Sequence, residues 1–204
     1  MKVGANRIRD IIASLRNFSR LDEADIKEVD LHQGLDSTLL MLKNRLKKDI
    51  NVIRKYGKLP LVECYASQLN QVFLNILSNA IDALEDAEKQ HRYAPQSDPS
   101  KKIAKPTLVI QTKQVDQEIQ ISIRDNGQGI SKVVQTQLFD PFFTTKPIGK
   151  GTGLGLSVAY QVIVDQHQGE LTCHSEIGKG TEFVIKIPQR PRHCSEGESP
   201  KRTA

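Results

Sequence analysis

The sequence predicts an α+β fold with two layers, in which a mixed β-sheet carries helices on one face. Two hydrophobic patterns indicate it, because segments with apolar residues at helical spacing are interspersed with segments in which apolar and polar residues alternate. In chain order these patterns predict helix, helix, strand, helix, two strands, loop, helix and two strands. The 204 residues are enough for one such domain and a helical appendage.

Two amphipathic helices come first. Over residues 5–20 the apolar positions recur every three or four residues, and we expect this face to pack on a partner helix or on a second copy of itself. Residues 28–48 predict a second helix, with Asp30 and Gln33 as a capping box. Its apolar stripe is formed by Leu35, Leu39, Leu42 and Leu46.

The middle of the chain predicts a strand over residues 50–57 and a third, strongly apolar helix that ends near residue 90. Ser67 is the predicted N-cap of this helix. The polar, proline-containing residues 86–107 predict a mobile surface loop.

The second half of the chain predicts four strands and one helix. Residues 107–115 and 118–125 predict strands, and in the second of these isoleucine alternates with polar side chains. A loop over residues 125–152 leads to a helix over residues 154–168, which Gly169 ends. A β-hairpin then closes the domain, with its strands over residues 170–176 and 181–188 and its turn over residues 177–180.

Composition excludes several classes of protein. No apolar run reaches the roughly 18 residues of a membrane-spanning helix, and the N-terminus lacks a signal-peptide pattern. The three cysteines are scattered without a CxxC pair, which disfavours a disulfide framework or a zinc site and is typical of a cytoplasmic protein. The net charge of +5 comes with no tryptophan and few other aromatic residues, so we expect neither nucleic-acid binding nor membrane contact by this chain.

The third helix carries Asn75, Asn79 and Asp82 on one face, because spacings of four and three residues return to the same side of a helix. On one interpretation these residues form a solvated stripe. On the other they are the polar wall of a pocket, where amide and carboxylate oxygens suit a Mg²⁺ ion that bridges phosphates.

The stretch DNGQGI at residues 125–130 follows the alternating strand directly. An Asn-Gly pair is typical of a hairpin turn, but the residues that follow do not predict a second strand. Its two glycines would instead allow the backbone to approach a ligand closely. Asp125, where the strand ends, could accept a hydrogen bond from an exocyclic amine such as that of adenine.

Two further stretches are candidates for anion binding. LFDPFFTTK at residues 138–146 either plugs the core with phenylalanines or brings Thr144, Thr145 and Lys146 to phosphates. GKGTGLGLS at residues 149–157 matches neither the Walker A loop, because its lysine comes early, nor the dinucleotide pattern G-x-G-x-x-G. It is either a flexible linker or, at the start of a helix, a set of backbone N–H groups that bind an anion.

Taken in order, these stretches and a final G-x-G-T at residues 178–181 resemble the ATP-binding domain of sensor histidine kinases. That family shares its Bergerat-type fold with gyrase and mismatch-repair ATPases, and the resemblance covers about residues 50–188. The first helix resembles the second helix of the kinase dimerisation hairpin. The resemblance implies a partial dimerisation and phosphotransfer helix over residues 1–28, an ATP-binding catalytic domain over 29–188 and a disordered tail over 189–204.

The resemblance also implies a role for each polar site residue. Asp125 would bind the adenine amine, and Thr181 would support it from the adjacent strand. Asn79 would be the Mg²⁺ ligand. Asn75 would contact phosphate or position a catalytic water, and Lys146 would reach the phosphates from a mobile lid.

The remaining positions would shape the pocket, turn the backbone or hold the phosphates. The lid would extend over about residues 131–152. Asp82 and Ile130 would shape the pocket, and Gly127 and Gly129 would turn the backbone. Thr144 and Lys150 would be further phosphate contacts from the lid. The phosphate cradle would consist of Gly151, Gly153, Leu154 and Gly155.

One feature departs from the family pattern. Histidine kinases phosphorylate a histidine in an H-E-x-x-[NT]-P type motif, and none of the five histidines here lies in such a motif. We therefore expect the acceptor histidine to lie outside this chain, on a hairpin supplied in cis or across a dimer. The resemblance implies ATP and Mg²⁺ as ligands, a response regulator as partner, and a homodimer in the full-length protein.

Three alternatives remain open. A gyrase-type ATPase generally carries a glutamate as general base where this chain has Asn75. An anti-sigma-type protein serine kinase uses the same nucleotide fold without a hairpin, so the helix over residues 5–20 argues against it. A degenerate nucleotide-sensing scaffold would not need Asp125, Asn79 and the glycines to be intact.

Overall fold

The computed structural model describes residues 26–46, 50–93, 105–147 and 151–190. The helix predicted over residues 5–20, Lys150 and the tail beyond residue 190 lie outside these ranges. Within the described part of the chain, no helix is both long and apolar enough to cross a lipid bilayer.

Within the described residues the order of elements follows the predicted order, with two short strands and one four-residue helix added. The strands are β1 (Lys27–Val29), β2 (Asn51–Tyr56), β3 (Val62–Cys64), β4 (Thr107–Val115), β5 (Glu118–Asp125), β6 (Glu170–Glu176) and β7 (Gly180–Pro188). The helices are α1 (Leu31–Met41), α2 (Ala66–Tyr93), α3 (Lys132–Gln135) and α4 (Gly155–Gln161), and a π-helical turn over Val162–Gln166 continues α4.

A five-stranded mixed sheet with the order β2-β4-β5-β7-β6 forms one layer. β2 pairs with β4 in parallel, and the other three pairings are antiparallel. Helices α1, α2 and α4 cover one face of this sheet, and their buried side chains form one hydrophobic core with it. The predicted α+β sandwich, with a mixed sheet and helices on one face, is confirmed.

The alternation along β5 determines which of its side chains enter the core. Ile119, Ile121 and Ile123 are at most 1% exposed, whereas Arg124 is exposed on the other face of the sheet. Successive side chains of a strand point to opposite faces, so Asp125 continues the buried isoleucine row. Because side chains alternate along β5, the carboxylate of Asp125 at the end of the strand faces the helical layer.

Helix α2 supplies the centre of the core with one face and a polar wall with the other. Its side chains with 0% exposure are Val72, Phe73, Ile76, Leu77 and Ile81. Burying one such side chain contributes about 1.5–3 kcal/mol to folding. Because the helix is held by this apolar face, Asn75, Asn79 and Asp82 stay half-buried on the side that faces away from it.

Three helix boundaries differ from the prediction. α2 begins at Ala66, and the carbonyl oxygen of the preceding Tyr65 accepts from the N–H groups of Gln68 and Leu69, so Ser67 is not the cap. Asp30 does cap α1, but its carboxylate accepts from the backbone N–H of His32 rather than from Gln33. α1 ends at Met41 and continues as turns, which makes it shorter than the predicted span of 28–48.

The predicted loop over residues 86–107 is wrong for its first part, because α2 continues to Tyr93. Residues 86–90 favour helix through Ala, Glu, Lys and Gln, and the first proline after them is Pro95. An ion pair between Asp86 and Lys89 at 2.9 Å adds local support. Residues 94–104 lie outside the described ranges.

The predicted helix over residues 154–168 begins one residue later and changes type after Gln161. The residue in the left-handed region is Gln168, with a φ of 53°, and not Gly169. Gly169 closes the turn by donating its N–H to the carbonyl oxygen of Ile163 at 2.8 Å.

A separate antiparallel ladder of β1 and β3 has no counterpart in the prediction. Both strands have three residues, which is too short for a periodic pattern. The backbone N–H of Glu63 also donates to the carbonyl oxygen of Gln189 at 3.0 Å, so the beginning and the end of the domain meet at β3. The predicted boundary between residues 28 and 29 falls inside β1.

Candidate functional site

A cavity of about 880 Å³ opens between α2, the loop after β5, the lid and the glycine-rich stretch before α4. It brings together all the predicted site residues that the structure describes except Gly127 and Leu154, and Lys150 lies outside the described ranges. Those that line it are Asn75, Asn79, Asp82, Asp125, Gly129, Ile130, Thr144, Lys146, Gly151, Gly153, Gly155 and Thr181.

Asp125 is the buried carboxylate of this cavity, with only 3% of the residue exposed. Its Oδ1 atom accepts a hydrogen bond from the backbone N–H of Gly127 at 2.8 Å. Burial raises the pKa of Asp125 to about 6, against the opposing effect of the backbone N–H groups of Gly127 and Thr181. The site therefore holds a carboxyl group that can still accept from a ligand donor.

Thr181 is the register partner of Asp125 on β7, as the resemblance implied for a supporting residue. Its hydroxyl lies 2.9 Å from that of Ser175 on β6. Ser175 Oγ also accepts from the backbone N–H of Ile130 at 2.8 Å. The hydroxyl groups of Ser175 and Thr181 therefore connect the loop after β5 to the hairpin of β6 and β7.

Gly127 and Gly129 both approach protein backbone closely. A Cβ atom at Gly127 would lie 2.9 Å from the carbonyl oxygen of Ala83 on α2. Gly129 has a φ of 74°, and a Cβ atom there would overlap the carbonyl oxygen of Glu176. These glycines let the loop sit between α2 and β6, which fixes the position of Asp125.

Five charged and polar side chains form a cluster at the polar face of α2. Lys146 Nζ donates to Asn79 Oδ1 at 2.8 Å and to Asp82 Oδ2 at 2.5 Å. The other oxygen of Asp82 accepts from Arg45 Nη2, and Arg45 Nη1 donates to Ser78 Oγ at 2.6 Å. One carboxylate therefore holds two cations, one from the lid and one from the segment after α1.

Asn75 joins α2 to the first residue of α4. Its Nδ2 donates to the carbonyl oxygen of Gly155 at 2.8 Å, and its Oδ1 accepts from Gln71 Nε2 at 3.3 Å. Gly153 has a φ of 70°, and a Cβ atom there would overlap the backbone of Phe142. The backbone conformation of the glycine-rich stretch therefore depends on its close contact with Phe142 of the lid.

Arg45 is one of the polar residues of the cavity that the sequence did not indicate. It follows the last turn of α1 inside a run of basic residues, and no local spacing distinguishes it from its neighbours. It reaches the cavity only because the fold brings that segment beside Ser78 and Asp82.

The residues around Asn79 are the candidates for a metal site. In the described ranges, no group of three or more His, Cys, Asp or Glu side chains could hold a metal ion. The oxygens of Asn79 and Asp82 already share one cation, the ammonium group of Lys146. This donor set fits Mg²⁺, which binds proteins through one or two oxygen ligands and keeps several waters.

Comparison with known proteins agrees with the fold. Residues 64–191 match the family described as histidine kinase-, DNA gyrase B- and HSP90-like ATPase. The chain is 34% identical over 193 residues to the sensor kinase CckA of Brucella abortus (strain 2308), covering 93% of this chain and 20% of that protein. It is 33% identical over 188 residues to the histidine-protein kinase AtoS of Escherichia coli (strain K12), covering 91% of this chain and 28% of that protein.

Solved structures of one histidine kinase, ThkA, have the same fold. Its catalytic domain superposes with a TM-score of 0.66 at 25% identity, covering 82% of this chain and 97% of that chain. ThkA in complex with the response regulator protein TrrA superposes with a TM-score of 0.68 at 20% identity, covering 93% of this chain and 50% of that chain.

Proposed function

The chain belongs to the histidine kinase-, DNA gyrase B- and HSP90-like ATPase family, and we propose that it is the ATP-binding catalytic part of a two-component sensor histidine kinase. Its relatives CckA and AtoS are sensor kinases, and the chain spans 20% and 28% of their lengths. The proposed kinase activity is that of a whole protein in which this chain is the catalytic part.

The buried carboxylate of Asp125 carries the proposal. A carboxyl group that is 3% exposed at the wall of a large cavity loses hydration. The backbone N–H groups of Gly127 and Thr181 use only part of the acceptor capacity of its two oxygens, which leaves room for a ligand donor. The exocyclic amine of adenine is a donor of the right kind. Binding it would favour the ionised carboxylate, which burial alone disfavours.

The cluster around Asn79 supports phosphate binding on the other side of the cavity. Asn79 would hold Mg²⁺, with Asp82 nearby, and bound Mg²⁺ would neutralise charge on the phosphate oxygens. Lys146 already lies beside both side chains, so its ammonium group is in reach of a phosphate. Asn75 holds the start of α4 in place and would orient the phosphates or a water.

The reaction is phosphoryl transfer to a histidine. An imidazole nitrogen forms a bond to the γ-phosphorus of ATP while the bond to the bridging β–γ oxygen breaks and ADP leaves. The enzyme contributes positioning and charge neutralisation rather than a covalent intermediate. The acceptor histidine would come from a hairpin outside the described residues, in cis or across a homodimer.

The partner proposed for the next step is a response regulator, whose aspartate would receive the phosphoryl group. The complex of ThkA with the response regulator TrrA supports this class of partner. A cytoplasmic location agrees with the use of ATP and with the two free cysteines of the described residues.

A phosphotransfer assay tests the proposal. The chain is incubated with Mg²⁺, γ-labelled ATP and an acceptor-histidine hairpin polypeptide, and a hairpin with its histidine replaced by alanine is the control. We expect label on the histidine hairpin alone, labile in acid and stable in base. Acid-stable label on serine would favour the serine kinase, and inorganic phosphate released without any labelled protein would favour the gyrase-type ATPase.

A further inference from the structure

We propose that Arg45 is the fixed cation that binds the terminal phosphates of the nucleotide and sets the preference for ATP over ADP. The inference rests on the proposed ATP site. No role for Arg45 follows from the sequence motifs, and its assignment comes from its contacts in the fold.

The guanidinium group of Arg45 is held against the wall of the cavity. Nη1 donates to Ser78 Oγ at 2.6 Å, and Nη2 donates to a carboxylate oxygen of Asp82. The side chain keeps 37% of its surface exposed, and Arg45 is one of the residues that line the cavity. Arginine has five N–H donors, of which these two bonds use two, so the group can also donate to phosphate oxygens.

Arg45 belongs to the framework of the domain, unlike Lys146. The buried Leu39 and Leu42 hold the end of α1 in the core, and the carbonyl oxygen of Leu42 accepts from the backbone N–H of Arg45 at 2.8 Å. Lys146 lies on the lid and is half-buried. The cation at Arg45 therefore stays in place in any movement of the lid.

The side of α2 that Arg45 contacts indicates which end of a bound nucleotide would lie near it. The loop of Asp125 packs at Ala83, whereas Arg45 binds Ser78. With 3.6 residues per turn, Ser78 and Ala83 are about 140° apart around the helix, and Asn79 lies between them. A ligand with its amine at Asp125 and its phosphates across Asn79 would thus extend toward Arg45.

The charge of the cluster suits this role. Arg45 and Lys146 share a single carboxylate, Asp82, so the three groups carry one net positive charge. A planar guanidinium group also matches the geometry of two phosphate oxygens better than an ammonium group does. The structural alternative is that Arg45 only fastens the segment after α1 to α2.

Calorimetry with three ligands separates these roles. Mg²⁺ with ATP, Mg²⁺ with ADP, and adenosine are titrated into the wild-type chain and into the variants Arg45→Gln and Arg45→Lys. The matched control is Arg54→Gln. Arg54 lies on β2, forms an ion pair with Asp36 at 3.0 Å and does not line the cavity. Thermal unfolding of each variant reports whether it folds.

For Arg45→Gln we expect the affinity for ATP to fall about tenfold or more, the affinity for ADP to fall less, and that for adenosine to stay unchanged. Arg45→Lys should keep part of the ATP affinity, and Arg54→Gln all of it. Equal losses for ATP and adenosine, or an unchanged ratio of ATP to ADP affinity in Arg45→Gln or Arg45→Lys, would overturn the proposal. Failure of the wild-type chain to bind any of the three ligands would instead overturn the proposed function.

Discussion

The ammonium group of Lys146 lies 2.8 Å from the amide oxygen of Asn79. It joins the lid to the polar face of α2 at the oxygen that is proposed to hold Mg²⁺. The same ammonium group also contacts Asp82 at 2.5 Å. A bound metal ion and Lys146 would therefore compete for these two oxygens, so the lysine would turn toward the phosphates when the site is filled.

Removing the Lys146 ammonium group should loosen the lid and weaken ATP binding. Lys146→Met loses the bonds to Asn79 and Asp82, so we expect faster hydrogen exchange in residues 131–147 without nucleotide, and a loss of ATP affinity of about tenfold. Exchange measured by mass spectrometry and calorimetry check the two effects. The control is Lys132→Met, which removes an exposed lysine of the same segment that lies outside the cavity lining. Equal hydrogen exchange in the two variants would contradict the role of Lys146 in holding the lid against α2.

Nucleotide binding should weaken in acid because of Asp125. Its pKa is raised to about 6, and the adenine amine would bind the ionised form. Below that pH the carboxyl group must lose a proton on binding, so the affinity for adenosine should fall by up to about tenfold per pH unit. No histidine is among the described residues that line the cavity. Calorimetry near pH 7.5 and near pH 5 measures the change, and equal affinity at both would contradict an ionised acceptor.

The stability of the domain should also depend on pH through His167. This side chain is 1% exposed, its Nδ1 lies 2.8 Å from the carbonyl oxygen of Val162, and its Nε2 accepts from the backbone N–H of Tyr65 at 3.2 Å. Burial lowers its pKa below the ordinary value of 6.5. The unfolded chain therefore takes up a proton first as the pH falls through that value, and the contribution to stability is lost.

Urea unfolding near pH 7.5 and near pH 5.5 tests the His167 effect. The wild-type chain should lose more stability on acidification than His167→Gln does. His174→Gln is the matched control, because His174 is exposed on β6. The raised pKa of Asp125 acts in the opposite direction, and comparison between variants cancels its contribution. Parallel pH profiles for the wild type and His167→Gln would refute the role of this histidine.

Two glycines of the final turn should differ in their tolerance of alanine. Gly178 and Gly180 both have a positive φ, of 79° and 102°. A Cβ atom at Gly178 meets nothing within 4 Å, whereas one at Gly180 would overlap the backbone oxygen of Asp125. Gly178→Ala should cost about 1–2 kcal/mol of stability through strain alone. Gly180→Ala should cost more and also reduce adenosine binding, and equal urea midpoints with normal binding would contradict the contact.

Much of the fold was predictable because its patterns are local. The period of two along β5 predicted the strand, and in the structure the same alternation continues to the buried Asp125. The helical spacing of Asn75, Asn79 and Asp82 predicted one polar face, which the structure places in a single cavity.

The features that the sequence did not predict depend on contacts between distant segments. The ladder of β1 and β3 and the position of Arg45 arise only when the chain has folded. The glycines were predictable as turns, but the partners that require them are backbone atoms far away in sequence, as for Gly129 and Glu176.

Calorimetric titration of Mg²⁺ and ATP into the wild-type chain and into Asp125→Asn tests the central claim most directly. Asn is close in size to Asp, so the fold should survive, but it offers a neutral amide in place of the carboxylate acceptor. The control is Asp165→Asn, an exposed carboxylate outside the cavity lining. We expect saturable binding by the wild type and the control, and none by Asp125→Asn. Wild-type affinity in Asp125→Asn would show that the nucleotide pocket is assigned to the wrong residues.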